Sequence, residues 1–394
     1  MDIKSLVHDR KAYLIHHRRW FHEFPELSYQ EFNTQDKIIS VLSEYPELTI
    51  TKYARTGVVA DLNKGQGKCL AIRADMDALP LHEQTGLPYA SKNEGVMHAC
   101  GHDTHMAVLL TLIDVIHTLS PKIWVRFIFQ PSEENNFNDP EGLSGAARMI
   151  KEGALAPVDS IIGFHQRPQK PAFHCSIMDG EVMASSDSFK IEVEGKSAHA
   201  GAAPHEGIDA ILIAAEIIQF IQKIPSRWTA PEQPVVVSIS TIQGGKLANI
   251  VADHVQMTGT IRTRNMRVRQ KVLDQIQNII NGVSSVYHCK IYFKLEQSLP
   301  VTSNDPSLSQ NLRAAAQKIL PKEHICQQWG MMASEDFAFY GEKVPSCFIF
   351  FGTQPNGDEA FGLHHPKMRV NEDALLIPVL IAAQWIDDQS YENQ

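Results

Sequence analysis

Five residues able to hold or work beside a metal ion stand at the carboxyl ends of short apolar runs. Asp75 and Asp77 follow KCLAIRAD (68–75), Glu133 and Glu134 follow IWVRFIFQ (123–130), and His165 closes SIIGFH (160–165). Open α/β sheets gather their ligand sites just beyond such strand ends. The segment HACGHDTH (98–105) adds Cys100 and His102 in a polar loop before a helical pattern. Cys, His and carboxylate together suit zinc or a similar divalent ion. The adjacent glutamates answer a specific chemical need: one carboxylate holds metal while its neighbour takes a proton from water.

Each feature taken singly also has a plainer explanation. Cys-Gly-His could be a buried thiol beside a surface histidine. Pro131-Ser132-Glu133-Glu134 suits a helix start, through capping and the macrodipole. His165 could be a core or turn histidine, His364 and His365 an exposed loop pair, and Asp75 and Asp77 caps of the turn before Pro80. Those readings must place every group at a sheet end by coincidence, so the joint pattern favours metal-assisted hydrolysis. A cysteine nucleophile at Cys100 with His102 as its base fits less well, because residues two apart in a tight loop seldom reach each other.

The elements that must position these groups alternate as in a layered α/β domain. The strands named above, and SCFIFFGT (346–353) later, are interleaved with helical patterns such as AVLLTLIDVIHTL (107–119). From about residue 184 the rhythm changes to strand, helix, strand, strand, helix, strand, carried by SFKIEVEG, IDAILIAAEIIQFIQKI, PVVVSISTIQGG, HVQMTGTIRT, VRQKVLDQIQNIING and KIYFKLEQ. That order marks a split βαβ, ferredoxin-like module. After SLPVTSNDPS the α/β alternation resumes, with helices near NLRAAAQKIL and in EDALLIPVLIAAQWIDD. The expected fold is α/β: a mixed-sheet domain with helices on both faces, formed by 1–183 and 297–394, and an inserted ferredoxin-like α+β domain at 184–296.

The 394 residues, 43% of them hydrophobic, are enough for two cores. A net charge of −9, from 45 acidic and 36 basic residues, and the absence of a long basic run argue against nucleic acid as a partner. Charges interrupt every apolar stretch of the first twenty residues and break the later runs, so no signal peptide or membrane span is expected. The expected location is cytoplasmic. Six scattered cysteines do not form a disulfide framework.

The ordered motifs RRWFHEFPELSYQE (18–31), RADMDALP (73–80), GVMHACGHDTH (95–105), QPSEE (130–134), GFH (163–165), GKSAHAGAAPHEGID (195–209), GGKLANIVAD (244–253), GTIRT (259–263), SEDFAFY (334–340) and LHHP (363–366) span nearly the whole chain. The chain resembles the metal-dependent aminoacylase and carboxypeptidase family, above all its bacterial N-acyl-amino-acid amidohydrolases and plant auxin-conjugate hydrolases.

The resemblance implies hydrolysis of the amide bond of an N-acyl amino acid, for example an N-acetyl one. It implies two divalent metals, zinc or manganese, with ligands at Cys100, His102, Glu134, His165 and His364 and with Glu133 as general base. It makes the inserted module a lid and dimerisation domain of a homodimer, whose His199, Asn249 and Arg262 bind substrate. On residue type alone, His199 could instead be a solvated loop histidine, the weaker reading, whereas Arg262 reads equally as a surface strand residue.

The chain departs from its relatives by inserting NNFNDPEG (Asn135–Gly142) after Glu134, and by a His364-His365 doublet where one histidine is usual. Two other readings stay open: a dipeptidase or carboxypeptidase of the same fold, and a non-catalytic binding protein with a structural metal. Glu133 argues against the second, since a structural site needs no spare carboxylate.

Overall fold

The computed structural model describes residues 2–357 and 359–392. The chain divides into two compact units, one of Met1–Gly180, Ser303–Trp329 and Asp336–Gln394, the other of Glu181–Thr302 and Gly330–Glu335.

The first unit is built on an eight-stranded mixed sheet. Its strands run in the order Thr49–Tyr53, Gly57–Leu62, Trp124–Gln130, Cys69–Asp75, Ser160–Arg167, Ser346–Gly352, Cys175–Ser176, Ile325–Cys326. The four strands from Trp124–Gln130 to Ser346–Gly352 are mutually parallel. Their side chains are buried almost throughout, as parallel strands covered on both faces require. This explains why these runs are apolar without alternation. One core joins them to the helices Lys11–Glu23, Phe32–Leu42, His102–Leu119, Pro306–Ile319 and Leu376–Glu392, through residues such as Phe21, Ile38, Leu109, Phe127, Ile162, Leu312, Ile349 and Ile381.

Register then does the positioning. Asp75 pairs with Gln130 and Arg73 with Gly163, so three parallel strands finish side by side. The loops that leave the first two carry Asp77 and Glu133 with Glu134, and His165 stands near the end of the third strand itself.

The helix expected over 107–119 begins earlier, at His102. Its first turn, HDTH, looks polar, yet His102, Asp103 and His105 are all buried and each has a partner from another element. Tertiary pairing extends the helix past the point where apolar periodicity stops.

The second unit is a four-stranded antiparallel sheet in the order Lys290–Leu299, Ser185–Glu194, His254–Thr263, Val235–Gly244. Its two central strands alternate buried and half-exposed residues, the pattern of a sheet covered on one face. The helices Ala210–Ile221 and Met266–Tyr287 supply that cover, packing Ile213, Ile217, Val272 and Ile276 on Phe189, Ile191, Val255 and Ile261. Among the described residues, no helix is long and apolar enough to cross a membrane.

Candidate active site

Cys100 stands two residues past the buried His98, and Gly101, with φ of +95°, turns the chain into the helix that opens at His102. The Cys100 Sγ lies 3.2 Å from His165 Nε2. The other nitrogen of His165, Nδ1, donates to the Gln166 carbonyl at 2.7 Å, which aims Nε2 at the thiol. His102 is held in the same way: Nδ1 donates to the Asp77 carbonyl at 2.8 Å, with an Asp77 carboxylate oxygen 3.2 Å away. A carbonyl or carboxylate behind the ring is the usual means of presenting the far nitrogen of a histidine to a metal.

Two sets of three ligand atoms form around Cys100, each within 4.8 Å of one another. One is Cys100, His102 and His165; the other is Cys100, Glu134 and His364. The thiol belongs to both. Glu133 lies in a third such set with His102 and Glu134. The five candidate ligands and the candidate base therefore meet in one place.

His364 has φ of +63°, and its N–H donates to the Ala99 carbonyl at 2.8 Å, tying it to the Cys100 loop. Its Nε2 comes within 3.4 Å of Glu134 Oε1. His365 is engaged elsewhere, stacked on Phe361 with its Nδ1 accepting the Lys367 N–H. The doublet thus resolves in favour of His364 facing the cluster.

The electrostatics favour a cation. Burial works against charge on His102, but Asp75, Asp77 and Glu134 outweigh it and raise the imidazole to about 10. Burial, reinforced by Glu134, Glu133 and Asp75, pushes the Cys100 thiol well above its ordinary value. Burial holds His165 neutral. His102 Nε2 and Glu134 Oε1 are both buried without a hydrogen-bond partner among the described residues, and lie 4.0 Å apart. Orphaned atoms of this kind are rare in proteins. An imidazole nitrogen and a carboxylate oxygen, too distant to bond each other and gathered with a thiol, suit a divalent ion that takes the place of the His102 proton between them, so the donor set fits a metal centre.

Asp75 and His105 also lie near His102 but are used otherwise. Asp75 accepts from Arg73 at 2.7 Å and His105 at 2.6 Å, and His105 Nε2 accepts the Gln166 N–H at 3.1 Å. This pair braces the site.

The plainer reading of PSEE as a helix start is not what the structure shows. Residues 131–144 are irregular, and the helix begins only at Gly145. Ser132 takes φ of +53°, and the Glu134 N–H is claimed by Asp77 at 3.0 Å, so both backbones serve an elbow. The Asn135–Gly142 segment is tied down by Asp139, which receives Arg148 at 2.7 and 2.8 Å, and by Asn138 donating to the Ser28 carbonyl.

His199, Asn249 and Arg262 lie in the second unit. The His199 Nδ1 accepts the N–H groups of Gly201 and Ala202 at 3.2 and 3.1 Å, so the neutral ring carries its proton on Nε2. The Asn249 carbonyl accepts the Ala200 N–H at 3.0 Å, which joins these two residues. Arg262 sits apart on the strand His254–Thr263, half-buried, with Nη1 lacking a hydrogen-bond partner among the described residues.

Sequence reasoning passed over Glu31, Arg18 and His22. Glu31 is buried against Ser132, and Arg18 and His22 both bind Asp103. All three stand in the RRWFHEFPELSYQE motif. Their acidic and basic side chains in an otherwise ordinary amphipathic stretch gave no separate sign of burial.

Fold and site together define a metal-dependent amidohydrolase, an α/β sheet whose strand ends collect a two-centred donor cluster with the adjacent Glu133 and Glu134. Residues 71–388 match Peptidase family M20/M25/M40, and the chain belongs to this family. It is 39% identical over 369 residues to an N-acetylcysteine deacetylase of Bacillus subtilis, covering 92% of this chain and 93% of that one. It is 36% identical over 390 residues to thermostable carboxypeptidase 1 of Saccharolobus solfataricus, covering 97% and 96%. A solved Bacillus subtilis structure, described as a dinuclear metal-binding peptidase of the M20 family, superposes with a TM-score of 0.83 at 34% identity, covering 98% of this chain and 99% of that one.

Proposed function

We propose that the protein hydrolyses the amide bond of N-acyl amino acids, releasing the carboxylate and the free amino acid, with Glu133 as general base. Two divalent ions, zinc or manganese, would be held by Cys100, His102, Glu134, His165 and His364. The observation that carries this reading is Cys100 shared between two donor triads, with Glu133 at their edge. When bound, such ions supply Lewis acidity toward the acyl carbonyl and lower the pKa of water.

The chain's own residues account for the proton movements. Glu133 takes a proton as the water oxygen joins the acyl carbon, then delivers it to the nitrogen as the C–N bond breaks. Asp77 and the Gln166 carbonyl keep the two imidazoles turned. We assign His199, with its proton on Nε2, to a substrate carbonyl, and Arg262 and Asn249 to the substrate carboxylate, for which a guanidinium fork is well shaped. A homodimer formed through the second unit is part of the same proposal, and sedimentation equilibrium tests it.

The deciding experiment is a panel of N-acetyl, N-benzoyl and dipeptide substrates on metal-stripped protein with zinc or manganese returned. The expected result is metal-restored deacylation, lost by about 10²–10⁴-fold in Glu133→Gln while metal still binds. Retention of half the activity by Glu133→Gln would refute the base assignment. The carboxypeptidase among the relatives favours one competing reading, which faster turnover of the dipeptides than of any acyl amino acid would establish.

A further inference from the structure

Glu31 is completely buried, with 0% of its surface exposed. It stands at the N-cap of the helix Phe32–Leu42 but makes no side-chain cap there. Its carboxylate reaches away from its own helix. One oxygen accepts the Ser132 N–H at 2.9 Å and the other accepts the Thr56 hydroxyl at 2.6 Å.

Ser132 is the residue that needs such a hold. With φ of +53° it lies in the left-handed region, where a side chain other than glycine costs about 1 kcal/mol or more and persists only when the surroundings impose it. Its carbonyl accepts the Gly145 N–H at 2.9 Å, so both of its backbone polar groups are held from outside. The next two residues are Glu133 and Glu134.

Packing alone does not explain an acid in this place. Burial, with Asp77 adding to it, raises the Glu31 carboxyl to about 8. An apolar side chain would fill the space without that cost, but it would offer the Ser132 N–H no acceptor.

We propose that Glu31 is a positioning residue for the reaction: by accepting the Ser132 N–H it keeps Ser132 left-handed and so aims Glu133 and Glu134 off the end of their strand. The assignment rests on the reading of Glu133 as general base. Loss of the acceptor lets the Ser132 peptide rotate and turns both glutamates from the donor cluster.

The test compares Glu31→Ala, Glu31→Gln, Thr56→Val and Glu133→Gln in zinc-loaded, full-length protein. Each is followed by kcat and KM on an N-acetyl amino acid, by zinc affinity in chelator competition, and by thermal midpoint. Glu31→Ala is expected to lose about 10–100-fold in kcat with KM nearly unchanged, and about tenfold in zinc affinity through displaced Glu134. Glu31→Gln keeps an oxygen for the Ser132 N–H and an amide for the Thr56 hydroxyl, so it should recover most of both.

A lowered thermal midpoint with kcat and zinc affinity of the wild type would reduce Glu31 to a structural residue and overturn the proposal. So would Glu31→Gln failing as badly as Glu31→Ala. If Glu31→Ala does not fold, Thr56→Val, which frees one carboxylate oxygen, must lower kcat at constant KM, and an unchanged kcat overturns the proposal. Glu133→Gln separates the two ideas: activity there defeats the general-base reading, whereas an inactive Glu133→Gln beside a fully active Glu31→Ala defeats only the role given to Glu31.

Discussion

Asp77 accepts the backbone N–H of Glu134 at 3.0 Å through Oδ2, so a residue after one strand fixes the peptide after its neighbour. The same aspartate takes Nδ1–H of His102 on its carbonyl at 2.8 Å, and its Oδ2 accepts the Ser28 hydroxyl at 2.6 Å. One residue thus orients two candidate ligands, one from each donor triad. Asp77→Ala should weaken divalent metal binding by about 10–100-fold, the usual effect of removing a partner behind the ligands. Chelator competition measures this. Wild-type affinity in a folded Asp77→Ala protein would show that Glu134 finds its place without the Asp77 carboxylate and that the Asp77 carbonyl alone suffices for His102.

Metal uptake should release protons. His102, raised to about 10, and the buried Cys100 thiol are both protonated near neutrality in the metal-free chain, and a cation must displace what they carry. Affinity should therefore rise with pH from 6 to 8, by up to about two decades per unit. Titration calorimetry in buffers of different ionisation enthalpy counts the protons released. A count of zero would mean that neither group becomes a ligand.

Much of this was legible in the sequence because the chemistry sits where a regular pattern ends. The strands to Asp75 and Gln130 announce themselves by runs that are apolar apart from Arg73 and Arg126, and the alternation in SFKIEVEG and HVQMTGTIRT marks a sheet covered on one face. The paired glutamates and the Cys-Gly-His loop follow from residue type and place.

What stayed hidden depends on partners far away in the chain. Whether PSEE starts a helix turns on Glu31, about a hundred residues earlier, and on Gly145. Both hold Ser132 in a conformation that no local preference predicts. The choice between His364 and His365 rests on the Ala99 carbonyl and the Phe361 ring. The early start of the helix at His102 rests on Asp77, Asp75, Arg18 and His22. Distant hydrogen bonds of this sort leave no periodicity to read.

Gly145 offers a sharp test of the elbow, because a Cβ there would lie 1.6 Å from the Pro131 carbonyl oxygen. No rotamer relieves a clash between backbone atoms, so Gly145→Ala must move either the helix Gly145–Lys151 or the Pro131–Glu134 turn. The expected outcome is a loss of about 3 kcal/mol or more in stability, in the range of strongly disruptive substitutions, together with loss of turnover in whatever protein folds. Denaturant unfolding and kcat measured on the same preparation check both. A variant as stable and active as the wild type would show that the turn is far softer than its hydrogen bonds suggest.

His17 makes a prediction about pH that does not involve the metal centre. Its ring is 4% exposed, packs edge-on to Tyr13 with centroids 4.3 Å apart, and leaves Nδ1 without a hydrogen-bond partner among the described residues. Burial, helped by Lys37 and His16, lowers it from 6.5 to about 4. The folded chain therefore keeps this ring neutral at a pH where the unfolded chain protonates it. The resulting stability is fully present above pH 6.5 and is lost as pH falls from there toward 4. At pH 5 the loss amounts to at most about 2 kcal/mol by linkage. His17→Gln cannot take up the proton, so its unfolding free energy should fall less between pH 7 and pH 5 than that of the wild type. Denaturant titrations at the two pH values measure the difference, and equal falls in both proteins would mean that His17 already carries its proton in the fold.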